Sequence, residues 1–220
     1  MNLALDKKPR VLVACEFSGT VRDAFAARGW DAWSCDLLPT ESPGNHYRGD
    51  VRDVLTPDWQ LLVAHPPCTY LCSSGMHWTK RGLRDPKLTE DALDFVRLLL
   101  DAPVPFIALE NPIGVISTRI RKPDQTLQPH EHGHPESKAT CLWLRGLPLL
   151  QPSNPLPMPV SGRWSNQTAS GQNKLAPSPD RWKLRSKTYP GIATAFAEQW
   201  GDFVARKLKP MADEGAAAKL

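Results

Sequence analysis

The first half of the chain is punctuated by short apolar runs, each ending in a polar or turn-forming residue. Arg10-Val11-Leu12-Val13-Ala14-Cys15, Gln60 to Ala64 and Pro105 to Leu109 are nearly continuous aliphatic stretches, the pattern of strands buried on both faces. Trp30 to Cys35 predicts another strand, ending in Asp36, and His46 to Leu55 a short third segment in which Asp50 stands where the strand would end. Between the first two strands Val21, Ala24, Phe25 and Ala27 fall at helical spacing, predicting a helix over Val21 to Arg28 closed by Gly29. A second helix is predicted from a capping Thr89 to Asp101 on the Leu93, Val96, Leu99, Leu100 stripe. A last helix is expected over Ala193 to Ala205. Strands alternating with helices imply an α/β protein with a mostly parallel sheet.

Composition adds limits. At 220 residues the chain has room for one core and a small excursion. The net charge of +4 is compatible with a polyanionic partner but far from the density of a structural nucleic-acid binder. Five cysteines (Cys15, Cys35, Cys68, Cys72, Cys141) form no repeated metal pattern and no even disulfide set, and no apolar run reaches membrane-spanning length. A soluble protein of a reducing compartment is expected. The prolines crowd into the second half, which points to extended, loop-rich structure there. Residues 1–9 read as a loose leader and 209–220 as a flexible tail.

The chemistry collects at the predicted strand ends. The first turn, Glu16-Phe17-Ser18-Gly19-Thr20, leads into the helix, and the β-α-β-acid order ending in Asp36 is the plan by which α/β proteins bind nucleosides. With Gly19 alone in place of a three-glycine fingerprint, a pyrophosphate cofactor is disfavoured and S-adenosylmethionine fits better. The fourth strand runs into His65-Pro66-Pro67-Cys68, where two prolines stop the ladder and present a thiol at the sheet edge. The fifth delivers Glu110-Asn111-Pro112 to the same edge. A thiol and a carboxyl facing one cleft suit attack on an electron-poor ring. A structural cysteine after a strand is the simpler alternative.

Residues 146–188 begin with a proline series and continue with Arg163, Trp164, Asn166, Gln167, Arg181, Trp182, Lys183, Arg185 and Lys187 and very little acid. Cations with interleaved amides and indoles suit phosphate contact, base-edge hydrogen bonding and stacking; a solvated proline-rich loop is the alternative. The cluster His130-Glu131-His132-Gly133-His134 reads as a polar loop, because no second ligand group stands at zinc-site spacing.

Taken in order, these pieces resemble the cytosine-specific C5 DNA methyltransferases, as a short, divergent member of the bacteriophage type. Phe17-Ser18-Gly19 resembles that family's Phe-x-Gly turn, Asp36 its acidic strand end, and Gly49-Asp50-Val51 its Gly-Asp-Ile adenine site. Pro67-Cys68 with Gly75 is similar to the catalytic Pro-Cys loop, and Glu110-Asn111 to the Glu-Asn-Val motif. Gly133 to Lys138 resembles the Gly-x-Pro-Gln-x-Arg segment, with Lys138 at the arginine, and Tyr189-Pro190-Gly191-Ile192 the final motif. Thr69 and Cys72 depart from the family's loop, as does Pro112 from its valine.

The resemblance implies a Rossmann-like S-adenosylmethionine-dependent fold: a catalytic domain of residues 10–145 plus 189–208, and a short target-recognition region at 146–188. It implies Cys68, Glu110, Asn111 and Lys138 as catalytic residues, and Phe17, Ser18, Gly19, Asp36, Asp50, Val51, Pro67 and Gly191 around S-adenosyl-L-methionine. Arg163, Trp164, Asn166, Gln167, Arg181, Lys183 and Arg185 would contact DNA. A monomer without a metal, working on DNA in the cytoplasm of a bacterial host cell, is expected. Three alternatives stay open: an amino-methyltransferase acting on N4 of cytosine or N6 of adenine, C5 methylation of a free deoxycytidine nucleotide, and a non-catalytic DNA-binding protein on the same scaffold.

Overall fold

A computed structural model of the chain describes residues 8–171 and 173–208; the expected tail at 209–220 and most of the expected leader lie outside them. Seven strands form one sheet in the order β3-β2-β1-β4-β5-β7-β6. They are β1 (Arg10–Ala14), β2 (Asp31–Asp36), β3 (His46–Arg48), β4 (Leu61–Ala64), β5 (Phe106–Pro112), β6 (Gln125–Leu127) and β7 (Thr140–Arg145). The first five run parallel, and β7 lies antiparallel between β5 and β6. This is the Rossmann-like α/β methyltransferase fold.

Alternation along each strand explains the two layers of helix. Val11, Val13, Leu61, Val63 and Ala108 face α1 (Thr20–Ala27) and the C-terminal helices, with Phe25, Phe196 and Trp200 filling that layer. Leu12, Ala14, Leu62, Ala64, Ile107 and Leu109 face the other way, onto Leu93, Val96 and Leu99 of α3 (Lys87–Leu100). All four residues of β4 are fully buried, which is why the strand reads as an unbroken aliphatic run.

The boundaries differ from expectation where local chemistry intervenes. The helix α3 starts at Lys87, because the Asp85 carboxylate accepts from the Lys87 amide at 2.8 Å and Pro86 needs no donor there. Thr89 is therefore a buried interior residue instead of the cap. The strand β5 continues past Leu109, since β7 pairs Glu110 with Leu142 and Asn111 with Cys141. The last helix begins at Pro190 as α6 (Pro190–Ala195), widens through a π-turn at Phe196–Trp200, and continues as α7 (Gly201–Leu208). Further elements were not expected, among them α2 (Ser73–Lys80), α4 (Ile116–Arg119), β6 and the α5 described next. A short α5 (Arg181–Ser186) ends the proline-rich excursion.

The parallel order reverses between β1 and β4, and the crevice beyond their C-terminal ends is where open α/β sheets bind ligands. The loop leaving β4 is fixed there by close backbone approach. Residues 71–73 lie against 113–115: the Ser73 amide donates to the Ile113 carbonyl at 3.1 Å and the Val115 amide to the Leu71 carbonyl at 2.8 Å. A Cβ on Gly114 would stand 2.0 Å from the Leu71 oxygen, and one on Gly75 2.0 Å from the Thr69 oxygen. Gly75→Ala and Gly114→Ala are each expected to cost about 1–3 kcal/mol through this overpacking. The readout is a lowered urea midpoint at unchanged slope, and an unmoved midpoint would contradict the contact.

Candidate active site

Two regions meet at the sheet edge. The first is a cavity of about 250 Å3 lined by Cys15, Cys35, Asp36, Leu37, Gly49, Asp50, Val51, Arg52, Pro67 and Phe95. It opens off the C-terminal ends of β1, β2, β3 and β4, and Cys15, among its lining residues, has a left-handed φ of 60°. Burial pushes the Asp36 carboxyl above its ordinary value, with the backbone amides of Leu38 and Leu37 pulling the other way. Asp50 is held below its ordinary value chiefly by the Arg52 amide, which it caps at 2.9 Å, and by the Arg52 guanidinium. Two carboxylates above apolar walls of Val51, Leu37 and Phe95 suit a nucleoside, whose hydroxyl and amino donors need acceptors while its base needs an apolar slot.

Four of the eight expected cofactor residues, Asp36, Asp50, Val51 and Pro67, line this cavity. Phe17, Ser18 and Gly19 form the turn after β1 instead. Glu16, which the sequence did not single out, is buried there and accepts from the Val21 amide at 2.7 Å and the Arg22 amide at 3.2 Å, so a carboxylate holds the start of α1. Gly19 has a φ of 76°, and a Cβ there would strike the fully buried Arg22. Gly191 lies elsewhere: its amide donates to His134 Nε2 at 2.8 Å, and a Cβ would stand 2.0 Å from the His132 carbonyl. Its absent side chain serves packing of α6 on the 132–134 turn.

The second region surrounds Cys68. Pro66 and Pro67 carry the chain out of β4, and the Cys68 carbonyl accepts from the Leu71 and Cys72 amides at 3.0 and 2.9 Å. Asn111, 1% exposed, donates from Nδ2 to the Pro66 carbonyl at 2.8 Å and so ties this loop to β5. Next to it Glu110 accepts from Nδ1 of His65 at 3.1 Å, with both side chains largely buried. Because a carboxylate can only accept, this bond puts the proton on Nδ1, and the buried Nε2 has no partner among the described residues. Burial alone would raise the Glu110 carboxyl; the His65 bond and charge, with Lys138 and Thr140, outweigh it and hold the group below its ordinary value. His65 entered the sequence reasoning only as the residue before the Pro-Pro step; its pairing with Glu110 is a finding of the structure.

Lys138 spans toward the excursion. Its Nζ donates to the Arg185 carbonyl at 2.7 Å and lies 5.6 Å from the Tyr189 ring centroid, while its charge also acts on Cys68 and Glu110. The end of the excursion, with α5, crosses to the first turn, where Lys183 and Lys187 both pair with Glu41 and Trp182 lies against Phe17.

The residues expected to meet DNA divide by exposure. Arg163 and Arg185 are exposed, and Lys183 is engaged by Glu41. Trp164 is buried and stacked on His130 at 5.0 Å, so its indole offers no free face to a base. Asn166 is spent on the Ser137 backbone and Glu136, and Gln167 accepts from the Trp164 amide. Arg181 is half-buried, with its Nε unpartnered among the described residues. Of the histidine cluster, His132 bonds Ser153, His134 takes the Gly191 amide, and Glu131 completes a capping box with Gln128. Among the described residues no group of His, Cys, Asp and Glu has the arrangement of a metal site, and no helix is long and apolar enough to cross a membrane.

No protein-family model matches the chain, and no curated protein does. Among solved structures it is similar to a presumed DNA modification methyltransferase encoded within an E. coli prophage. That match has 15% identity, covers 70% of this chain and 54% of that one, and has a TM-score of 0.47. The chain thus spans about half the length of that protein.

The His65–Glu110 pair sets a pH dependence. Because Glu110 is depressed when folded, its contribution to stability is complete above the ordinary value of 4.5 and is lost as pH falls through the lower folded value. In His65→Leu only Lys138 and Thr140 are left against burial, and the folded value moves up. The loss of stability is then expected to be small near pH 4 and to grow to about 1.5–3 kcal/mol at pH 7, the scale of a hydrogen bond to a charged group. Urea midpoints of both proteins across this range test it, and a deficit independent of pH would contradict the pairing.

Proposed function

We propose that the protein transfers a methyl group from S-adenosyl-L-methionine to C5 of cytosine in DNA, with Cys68 as the nucleophile. The observation that carries this reading is the position of Pro67. It lines the nucleoside-sized cavity and is followed directly by Cys68, so that donor and nucleophile would adjoin across one residue. The cavity's own residues fit the donor: Asp36 for ribose hydroxyls, Asp50 for an exocyclic amine, and Val51, Leu37 and Phe95 for the adenine faces. When bound, that donor supplies an activated methyl group.

The chain's residues then divide the work. The Cys68 sulfur bonds to C6 of a cytosine turned out of the duplex, and the electron pair displaced from C5–C6 spreads toward N3. Glu110 accepts from the exocyclic amino group, and the proton that His65 donates to Glu110 can pass through that carboxyl toward N3 as charge builds there. Asn111 holds the loop to β5, which is a positioning role. Lys138 supplies positive charge near both Cys68 and Glu110. Once C5 has taken up the methyl group, loss of its proton to a base expels Cys68.

In this reading residues 10–145 with 189–208 are the catalytic domain and 146–188 the recognition region. The exposed Arg163 and Arg185 meet phosphates, and Arg181, Lys183 and Gln167 flank the same face. Trp164 and Asn166 shape the region from within.

Mass spectrometry of nucleosides from DNA incubated with the protein and S-adenosylmethionine should find 5-methylcytosine. Cys68→Ser should lower its formation by at least about a thousandfold, the scale on which loss of a covalent nucleophile acts. A methyl group on an exocyclic nitrogen, or undiminished transfer by Cys68→Ser, would overturn the reading.

A further inference from the structure

The last stretch of the excursion, Arg181 to Lys187, carries four cations and no acid, and the fold seats it on an acid from a distant part of the chain. Glu41 lies between β2 and β3, where its amide donates to the Phe17 carbonyl at 2.9 Å and so places it beside the first turn. One carboxylate oxygen of Glu41 pairs with Lys183 at 2.7 Å, and the other with Lys187 at 2.5 Å. A single carboxylate thus bridges two ammonium groups. Its bonds to Lys183 and Lys187 hold the Glu41 carboxyl below its ordinary value, so the bridge is charged at neutral pH.

The bridge is built to be exchanged. All three side chains are between 30% and 38% exposed, and exposed ion pairs contribute little and are screened by salt. The same stretch has other attachments that do not involve the two ammonium groups. Lys138 Nζ donates to the Arg185 carbonyl at 2.7 Å and to the Lys187 carbonyl at 3.4 Å, and Trp182 lies 6.1 Å from Phe17 between ring centroids. The two lysine side chains can therefore change partner while the backbone that carries them stays anchored.

The chemistry of the bridge is that of a phosphate contact. A phosphodiester, like a carboxylate, spreads one negative charge over two equivalent oxygens, so a pair of ammonium groups that fits one fits the other. Arg185 is exposed on the same short helix, as are Trp182 and Leu184, and among the described residues no second acid forms an ion pair with this stretch. A nucleic-acid backbone offers many phosphates against one carboxylate, and each phosphate that takes up a cation releases counterions.

We propose that Lys183 and Lys187 form a phosphodiester-binding site for the DNA backbone, which Glu41 occupies as an internal stand-in until DNA displaces it. This rests on DNA being the partner, as in the function proposed above. In the free protein Glu41 keeps the two cations paired. On the duplex a backbone phosphate takes both ammonium groups and Glu41 turns to solvent, so a contact within the chain competes directly with the substrate.

The test reads this exchange without methyl transfer. The full wild-type chain is labelled with and without duplex DNA, by acetic anhydride for lysines and by a carbodiimide with an amine for carboxyls, and the sites are mapped by mass spectrometry. With DNA present, Lys183 and Lys187 should react several-fold more slowly, and Glu41 several-fold faster. DNA that merely settles over the region would protect all three groups, and that result overturns the proposal, as does unchanged labelling of the lysines. Neither measurement needs a variant to fold. In fluorescence anisotropy at about 50 mM salt, Glu41→Gln should bind a duplex about two- to tenfold more tightly than the wild type, with the gain fading as salt screens the pairs. Replacing both lysines by alanine should weaken binding and make the fall of log affinity with log salt shallower by about one to two.

If 5-methylcytosine forms but Glu41 is not released by DNA and Glu41→Gln binds no more tightly, the stand-in fails while the function stands. If the labelling exchange and the tighter binding are found but no methyl group reaches C5 of cytosine, the reaction assigned above fails while the phosphate site stands.

Discussion

The bond from Asn111 to the Pro66 carbonyl holds the site together. A proline carbonyl just past the end of a strand has no ladder partner, and buried it would otherwise lack an acceptor's partner altogether. Asn111 supplies the partner from inside β5, where its own backbone is already committed to β7. The result is that the loop bearing Cys68 is referenced to the strand bearing Glu110, through one buried side chain and not through loop packing alone. The second tie, between residues 71–73 and 113–115, fixes the far end of the same loop against the chain leaving β5. Two glycines permit it by having no side chain where backbone meets backbone. The position of Cys68 relative to β5 is therefore set by two ties, one at each end of its loop.

Charge is arranged around that frame by element. The carboxylates of Asp36 and Asp50 sit off β2 and β3 beside an apolar slot, whereas His65, Glu110 and Lys138 cluster off β4, β5 and the approach to β7. Pro67 is the boundary between the two groups. Acceptors therefore face the nucleoside-like cavity, and a proton-carrying pair faces the thiol side. The sheet achieves this separation because parallel strands deliver their C-terminal residues to one edge in a fixed lateral order.

The strands of the buried sheet were legible because burial on both faces leaves an unbroken aliphatic signature, as in Leu61 to Ala64. The Pro66-Pro67-Cys68 step could be placed at the sheet edge because it follows such a run; Asp36 and Asp50 follow strands without one, and their place came from the β-α-β order of the elements. The helix α2 was not: Ser73 to Lys80 buries Gly75 alone, so no apolar stripe marks it. β6 is a three-residue edge strand with one buried side chain, too short for periodicity to register. Thr89 had the chemistry of a cap but lost the position to Asp85, whose carboxylate precedes a proline suited to a helix start. The pairing of His65 with Glu110 joins residues 45 positions apart and leaves no local trace. Trp164 and Asn166 mislead in the opposite direction. An indole and an amide in a basic stretch read as base contacts, but one is stacked on His130 and the other holds Ser137 in place.

The excursion is attached unevenly, and this bears on what it does. Its middle is tied down by Trp164 on His130 and by Asn166 on the 136–137 turn, both partly or wholly buried. Its end, α5, rests on the first turn through exposed ion pairs to Glu41 and a tilted contact of Trp182 with Phe17. Exposed ion pairs contribute little and weaken with salt, so α5 is held less firmly than the segment that precedes it. Yet the end of α5 and the residue after it lay the Arg185 and Lys187 carbonyls against Lys138. The weakest attachment thus lies beside Lys138, whose charge acts on both Cys68 and Glu110. A polyanion competing with Glu41 for Lys183 and Lys187 would act on α5 first.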